Sequence, residues 1–77
     1  MTVLLYSRPG CHLCKQARAM LERAGVAFEE LDIESDDDLF QRYLERIPVI
    51  AIDGEEAFEL VVDERALRAR LGTLAGS

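Results

Sequence analysis

Thr2-Val3-Leu4-Leu5-Tyr6-Ser7-Arg8-Pro9-Gly10-Cys11-His12-Leu13-Cys14 is the stretch on which the reading of the whole chain turns. Thr2 to Tyr6 is a short apolar run with the character of a buried strand. Ser7 to Gly10 follows as a loop marked by a Pro-Gly dipeptide. From Leu13 onward, Ala17, Met20, Leu21 and Ala24 recur at helical spacing and make one apolar stripe. The pattern therefore predicts a strand, a tight loop and a helix, with both thiols on the first helical turn. Thiol chemistry depends on how readily a sulfur gives up its proton, so that placement bears on function.

Seventy-seven residues allow one domain with a small core, predicted to span 1–77 with a frayed tail over 71–77. Apolar residues make up 49% of the chain and charged residues 31%, the balance of a globular protein rather than a disordered one. The net charge of -6 and a pI near 4.6 argue against nucleic acid or an anionic membrane as a partner. No apolar run approaches the ~18 residues of a membrane span. No basic segment precedes the apolar run Thr2–Tyr6, so the expected location is cytoplasmic, where structural disulfides are uncommon. A monomer is expected. Charge is uneven: Glu29, Glu30, Asp32, Glu34, Asp36, Asp37 and Asp38 form an acidic block, read as a solvated loop and helix start. Arg8, Lys15, Arg18 and Arg23 are expected around the cysteines.

The first helix should begin near Cys11 and stop at Gly25, where a positive φ is accommodated. Val26–Asp32 reads as a second strand. Ser35 with Asp38 resembles a capping box, and Leu39, Phe40, Tyr43, Leu44 and Ile47 give a second helix its apolar stripe. Ile47-Pro48 interrupts that helix. Val49–Ile52 is a largely β-branched strand, Asp53-Gly54 a two-residue hairpin turn, and Glu56–Leu60 the returning strand. Asp63 is a suitable N-cap for a last helix from Glu64 to about Leu71, with Leu67, Leu71 and Leu74 inward and Gly72 at its end. The order is βαβ then αββα. Its first half implies parallel pairing with a right-handed crossover, and the hairpin implies antiparallel pairing. The expected fold is α/β, a four-stranded mixed sheet flanked by three helices.

At a helix start, Cys11 meets unpaired N–H groups and the positive end of the dipole, which stabilise an anion. Arg8 and Lys15 would add to this. Cys14 sits one turn deeper and should be less exposed. That asymmetry assigns Cys11 as the nucleophile that forms a mixed disulfide and Cys14 as the thiol that resolves it. A structural zinc site needs four ligands, whereas His12 is the sole histidine and no second CxxC exists. No metal is expected within one chain. His12 either modulates the thiol by its charge or is an exposed residue without a role. Tyr6 and Phe58 read as core.

With these residues in view, the chain resembles the glutaredoxin-like members of the thioredoxin-fold superfamily from Val3 to Leu71. Tyr6-Ser7-Arg8-Pro9-Gly10-Cys11-His12-Leu13-Cys14 is similar to that family's Y-S-K-x-x-C-P-Y-C segment, with Arg8 at the usual lysine. Arg46-Ile47-Pro48 is similar to its T-V-P segment. The resemblance implies a thioredoxin-like fold and a cis Pro48 facing the CxxC. It also implies that the Ile47 main chain binds a thiol peptide and that Asp63 contacts the glutathione γ-glutamyl amine. Arg8, Ile47, Pro48 and Asp63 would thus bind substrate, and His12 and Lys15 would modulate. The implied activity is thiol–disulfide exchange that reduces protein or glutathione mixed disulfides. No cofactor is expected to be bound. Glutathione would be a co-substrate or a thioredoxin-reductase-type protein the reductant. The rival reading is a redox-inert binding module of the same fold, or an iron–sulfur carrier shared between two chains. Two departures stand out. Leu60-Val61-Val62 lies where the family usually has a Gly-Gly pair, so bulkier side chains would fill part of the glutathione groove. The motif's interior is His-Leu rather than Pro-Tyr.

Overall fold

The computed structural model describes residues 1–74, with side chains through residue 72. The inward position expected of the Leu74 side chain, and residues 75–77 of the expected tail, lie outside what is described. The elements run β1 (Val3–Ser7), α1 (His12–Ala24), β2 (Glu29–Asp32), a 3-10 turn at Ile33–Ser35, α2 (Asp37–Tyr43), β3 (Val49–Ile52), β4 (Glu55–Glu59) and α3 (Glu64–Leu74). The sheet order is β2-β1-β3-β4, with β1 and β2 parallel and the other pairs antiparallel. This is the expected thioredoxin-like fold. Among the described residues no helix is long and apolar enough to cross a membrane.

Strand alternation sorts side chains onto the two faces of the sheet. Val3 and Leu5 of β1 and Ile50 and Ile52 of β3 meet Ala17 and Leu21 of α1 and Leu67 and Leu71 of α3 in the larger core. On the other face Ile33, Tyr43 and Val49 form a smaller cluster, with Tyr6, Leu39, Phe40 and Ile47 packed against it. Tyr6 stacks on Tyr43 at 4.4 Å between ring centroids, and Phe58 packs on the larger core, so both aromatics serve packing.

Several boundaries differ from the sequence reading. β2 begins at Glu29 because its parallel register starts at the Leu4–Glu29 pair, while Val26 and Phe28 pack against the larger core instead. α2 is capped by Asp36, whose carboxylate accepts from the Asp38 and Leu39 N–H groups, and not by Ser35, which lies in the 3-10 turn. α3 passes through Gly72 to Leu74, and Leu71 is buried. Over 71–74 the expected tail is therefore corrected: core packing of Leu71 holds that turn in the helix.

The Asp53-Gly54 turn has the expected positive φ at both residues, 51° and 85°. β4 contains a bulge that pattern reading did not anticipate. Ile50 pairs with Phe58 and Ala51 with Glu56, leaving Ala57 as the extra residue. The insertion shifts the alternation by one, so Glu56 and Glu59 come to the same face, opposite Ala51 and Val49. Both carboxylates then reach Arg46, at 2.5 and 2.9 Å.

Candidate redox site

One end of the sheet gathers the residues of interest. β1 runs towards this end and β3 runs away from it, with Tyr6 opposite Val49. Pro48, which precedes β3, therefore lies beside Ser7 and the loop leading to Cys11. β4 finishes at the same end, because Glu59 pairs with Val49. Leu60 and the start of α3 follow from there.

Cys11 is the N-cap of α1, in extended conformation (φ -82°, ψ 111°), and its Sγ accepts the Cys14 N–H at 3.1 Å. Cys11 is part-exposed, whereas Cys14 is 1% exposed and faces the interior. The two sulfurs are joined in a disulfide, with Cα atoms 5.2 Å apart. The helix ends at Gly25, where φ of 74° is the left-handed geometry expected of a helix C-terminus.

A groove of about 230 Å³ beside the disulfide is lined by Arg8, His12, Lys15 and Arg18 together with Pro9, Gly10 and Cys11. It carries no carboxylate of its own in a chain of net charge -6. The cations differ in how they are engaged. Arg8 pairs with Glu34 at 2.6 Å and lies over the Phe40 ring. Arg18 makes a two-pronged contact with Glu30, at 2.7 and 2.6 Å. Lys15 makes no ion pair among the described residues, and its N–H donates to the Cys11 carbonyl at 3.2 Å. Arg23 does not join the collar: it sits near the other end of α1, held by Glu64. His12 is exposed, with its Nε2 3.2 Å from the Gln16 amide.

Beneath the collar, the Ser7 hydroxyl donates to Glu30 at 2.6 Å, tying the buried end of β1 to β2. The Arg18 guanidinium holds the Glu30 carboxyl below the usual carboxylate range. Partial burial opposes this shift and the Ser7 hydroxyl assists it. Sequence reading missed this link, since its members come from three elements.

The Ile47–Pro48 peptide is cis, as the resemblance implied. The Ile47 N–H donates to the Tyr43 carbonyl at 3.0 Å, which engages one of its two main-chain polar groups within the chain. Leu60 closes over this segment: its N–H is shared between the carbonyls of Arg46 and Pro48, each at 3.0 Å. Its φ is 63°, so leucine here adopts the left-handed conformation that glycine would take without cost. Asp63 caps α3, its carboxylate accepting the Arg65 N–H at 3.0 Å and its carbonyl the Leu67 N–H at 2.9 Å. On the outer face, Arg46 reaches Glu56 and Glu59 while the Tyr43 hydroxyl donates to Glu56 at 2.7 Å. Arg46, next to Tyr43, holds Glu56 below the usual carboxylate range, and burial with Glu56 pushes Tyr43 up.

Comparisons with known proteins agree with this fold. The crystal structure of the structural-genomics target XcR50 of X. campestris superposes with a TM-score of 0.82 at 34% identity, covering 94% of this chain and 97% of that one. A glutaredoxin of Archaeoglobus fulgidus shares the fold at a TM-score of 0.69 and 22% identity, covering 90% and 84% of the two chains. Glutaredoxin 1 of Rickettsia bellii is 33% identical over 36 residues, which span 47% of this chain and 37% of that protein. Residues 2–72 match the family described as Glutaredoxin-like domain (DUF836), and the chain belongs to that glutaredoxin-like family.

Proposed function

We propose that the protein is a dithiol–disulfide oxidoreductase in which Cys11 attacks and Cys14 resolves. The observation that carries this reading is the asymmetry of the pair: Cys11 is a part-exposed N-cap and Cys14 is buried one turn deeper. In the reduced protein, the helix N-terminus and the Cys14 N–H stabilise negative charge on the Cys11 sulfur. The thiolate attacks a substrate disulfide, breaking its S–S bond and forming a mixed disulfide. The departing substrate thiolate takes up a proton. Cys14 then loses its proton and attacks the Cys11 sulfur, which releases the second substrate thiol. Two electrons pass to the substrate and the Cys11–Cys14 disulfide remains. Two molecules of glutathione, or a thioredoxin-reductase-type protein, would restore the dithiol. Protein disulfides and glutathione mixed disulfides are both within this chemistry, with the Ile47 carbonyl, Pro48 and Arg8 bordering the bound substrate. Lys15 and His12 would modulate the charge around Cys11.

Mixed-disulfide trapping tests the roles. Cys14→Ser, incubated with a disulfide substrate, accumulates a covalent adduct on Cys11 that dithiothreitol releases, and Cys11→Ser does not. An adduct on Cys11→Ser alone reverses the assignment. Offering the oxidised protein either glutathione with its reductase or thioredoxin with its reductase identifies the electron donor.

A further inference from the structure

Among the described residues five large apolar side chains are exposed: Met1, Leu13, Leu44, Leu60 and Val61. Leu13 lies inside the redox motif, and Leu60 and Val61 follow β4 at the same end of the sheet. Leu60 is 47% exposed and Val61 76%. Scattered surface leucines need no explanation, but Leu60 is also the residue held at φ 63°. A left-handed non-glycine residue costs about 1 kcal/mol or more, and such strain concentrates at functional sites. Solvent exposure means the leucine side chain returns little packing to offset that cost. The shared Leu60 N–H keeps it against Arg46 and Pro48, and the strand register sets Pro48 beside Ser7, which leads into the loop that carries Cys11.

We infer that Leu60 and Val61 select the substrate, favouring polypeptide disulfides that carry an apolar side chain beside the attacked cysteine and disfavouring glutathione. This rests on the oxidoreductase reading above and names the substrate class of that site. An apolar neighbour of the attacked cysteine loses water against Leu60 and Val61, which is favourable. Glutathione instead presents a charged γ-glutamyl amine and two carboxylates beside its sulfur. Setting those against an apolar wall strips their hydration without return. Specificity then comes from a favourable contact with one class and an unfavourable one with the other.

The test uses the reduced full chain and three probes. Two are peptides closed by an internal disulfide, identical except for leucine or serine beside the attacked cysteine; the third is oxidised glutathione. Second-order rate constants for disulfide reduction are compared in the wild type, Leu60→Gly and Leu60→Asn, both substitutions that tolerate the left-handed backbone. The wild type should reduce the leucine peptide about fivefold faster than the serine peptide, less than a closed pocket would give. Both variants should bring that ratio towards one and speed the reaction with oxidised glutathione. A wild-type ratio near one, or a ratio that neither variant changes, overturns the inference while leaving the oxidoreductase reading intact. If the reduced wild type reduces none of the three probes, the oxidoreductase reading falls and this inference with it.

Discussion

Arg8 stands 2.6 Å from Glu34, its guanidinium drawn to the 3-10 turn after β2 although the residue also lines the groove at Cys11. In the glutaredoxin resemblance this position supplies a cation for substrate, and here that cation already has a carboxylate partner. Replacing Glu34→Gln leaves Arg8 free to face an anionic ligand. The rate with oxidised glutathione should rise about threefold at low salt, and the gain should shrink as salt screens the charge. Both side chains are more than a third exposed, so the fold should lose less than about 0.5 kcal/mol. Kinetics at two ionic strengths with a parallel urea melt check this. A salt-independent change, or none, means that Arg8 does not act on the ligand.

Leu60 and Gly25 share one backbone geometry, φ 63° and 74°, with opposite residue types. Leu60→Gly removes the clash of a left-handed side chain and should stabilise the protein by about 1 kcal/mol, the half-exposed side chain giving up little. Gly25→Ala introduces the same clash and should destabilise it by about 1 kcal/mol. Nothing lies within 4 Å of the added Cβ at Gly25, so the cost there is conformational rather than steric crowding. Urea midpoints at constant m-value measure both. Equal signs for the two variants would mean that local strain does not govern Leu60.

What could be read from sequence was what neighbouring residues determine. Val49–Ile52 came out to the residue because a proline, a β-branched run and an Asp-Gly turn bound it on both sides. The limits of α1 were equally local, a cysteine N-cap and a left-handed glycine. The Ala57 bulge was not legible, because it exists only in the register between β3 and β4. For the same reason the convergence of Glu56 and Glu59 on Arg46 had no signature. Glu34 looked like one carboxylate in a solvated acidic block, and only the 3-10 turn brings it to Arg8. Leu60-Val61-Val62 was visible as a departure from the family, but its meaning required the backbone angle.

Lys15 is the groove cation without a carboxylate partner among the described residues, so its charge is the one expected to be felt at Cys11. In the reduced protein, Lys15→Glu should lower alkylation of Cys11 by anionic iodoacetate several-fold more than by neutral iodoacetamide. The ratio of the two rates isolates local potential from nucleophilicity, because a general loss of reactivity slows both reagents alike. An unchanged ratio would remove Lys15 from the electrostatics of the site.

Glu30 joins three elements, accepting from Ser7 on β1 and Arg18 on α1 while standing on β2 itself. Its carboxyl is held below the ordinary carboxylate value, chiefly by Arg18. A depressed folded-state value means that the unfolded chain binds the proton more readily. The stabilisation is therefore complete above the ordinary carboxylate value and is lost as pH falls through the folded one. Glu30→Gln should cost about 1 kcal/mol at neutral pH, as expected for charge-assisted hydrogen bonds at a partly exposed site. The difference between wild type and variant should vanish in acid, where Glu30 is protonated in both folded and unfolded chains. Because Ser7 leads into the loop that carries Cys11, the same substitution should slow disulfide reduction at neutral pH while leaving the acid limb of the activity profile unchanged. A stability difference that stays constant down to about pH 2 would show that the carboxylate's charge is not what binds these three elements together.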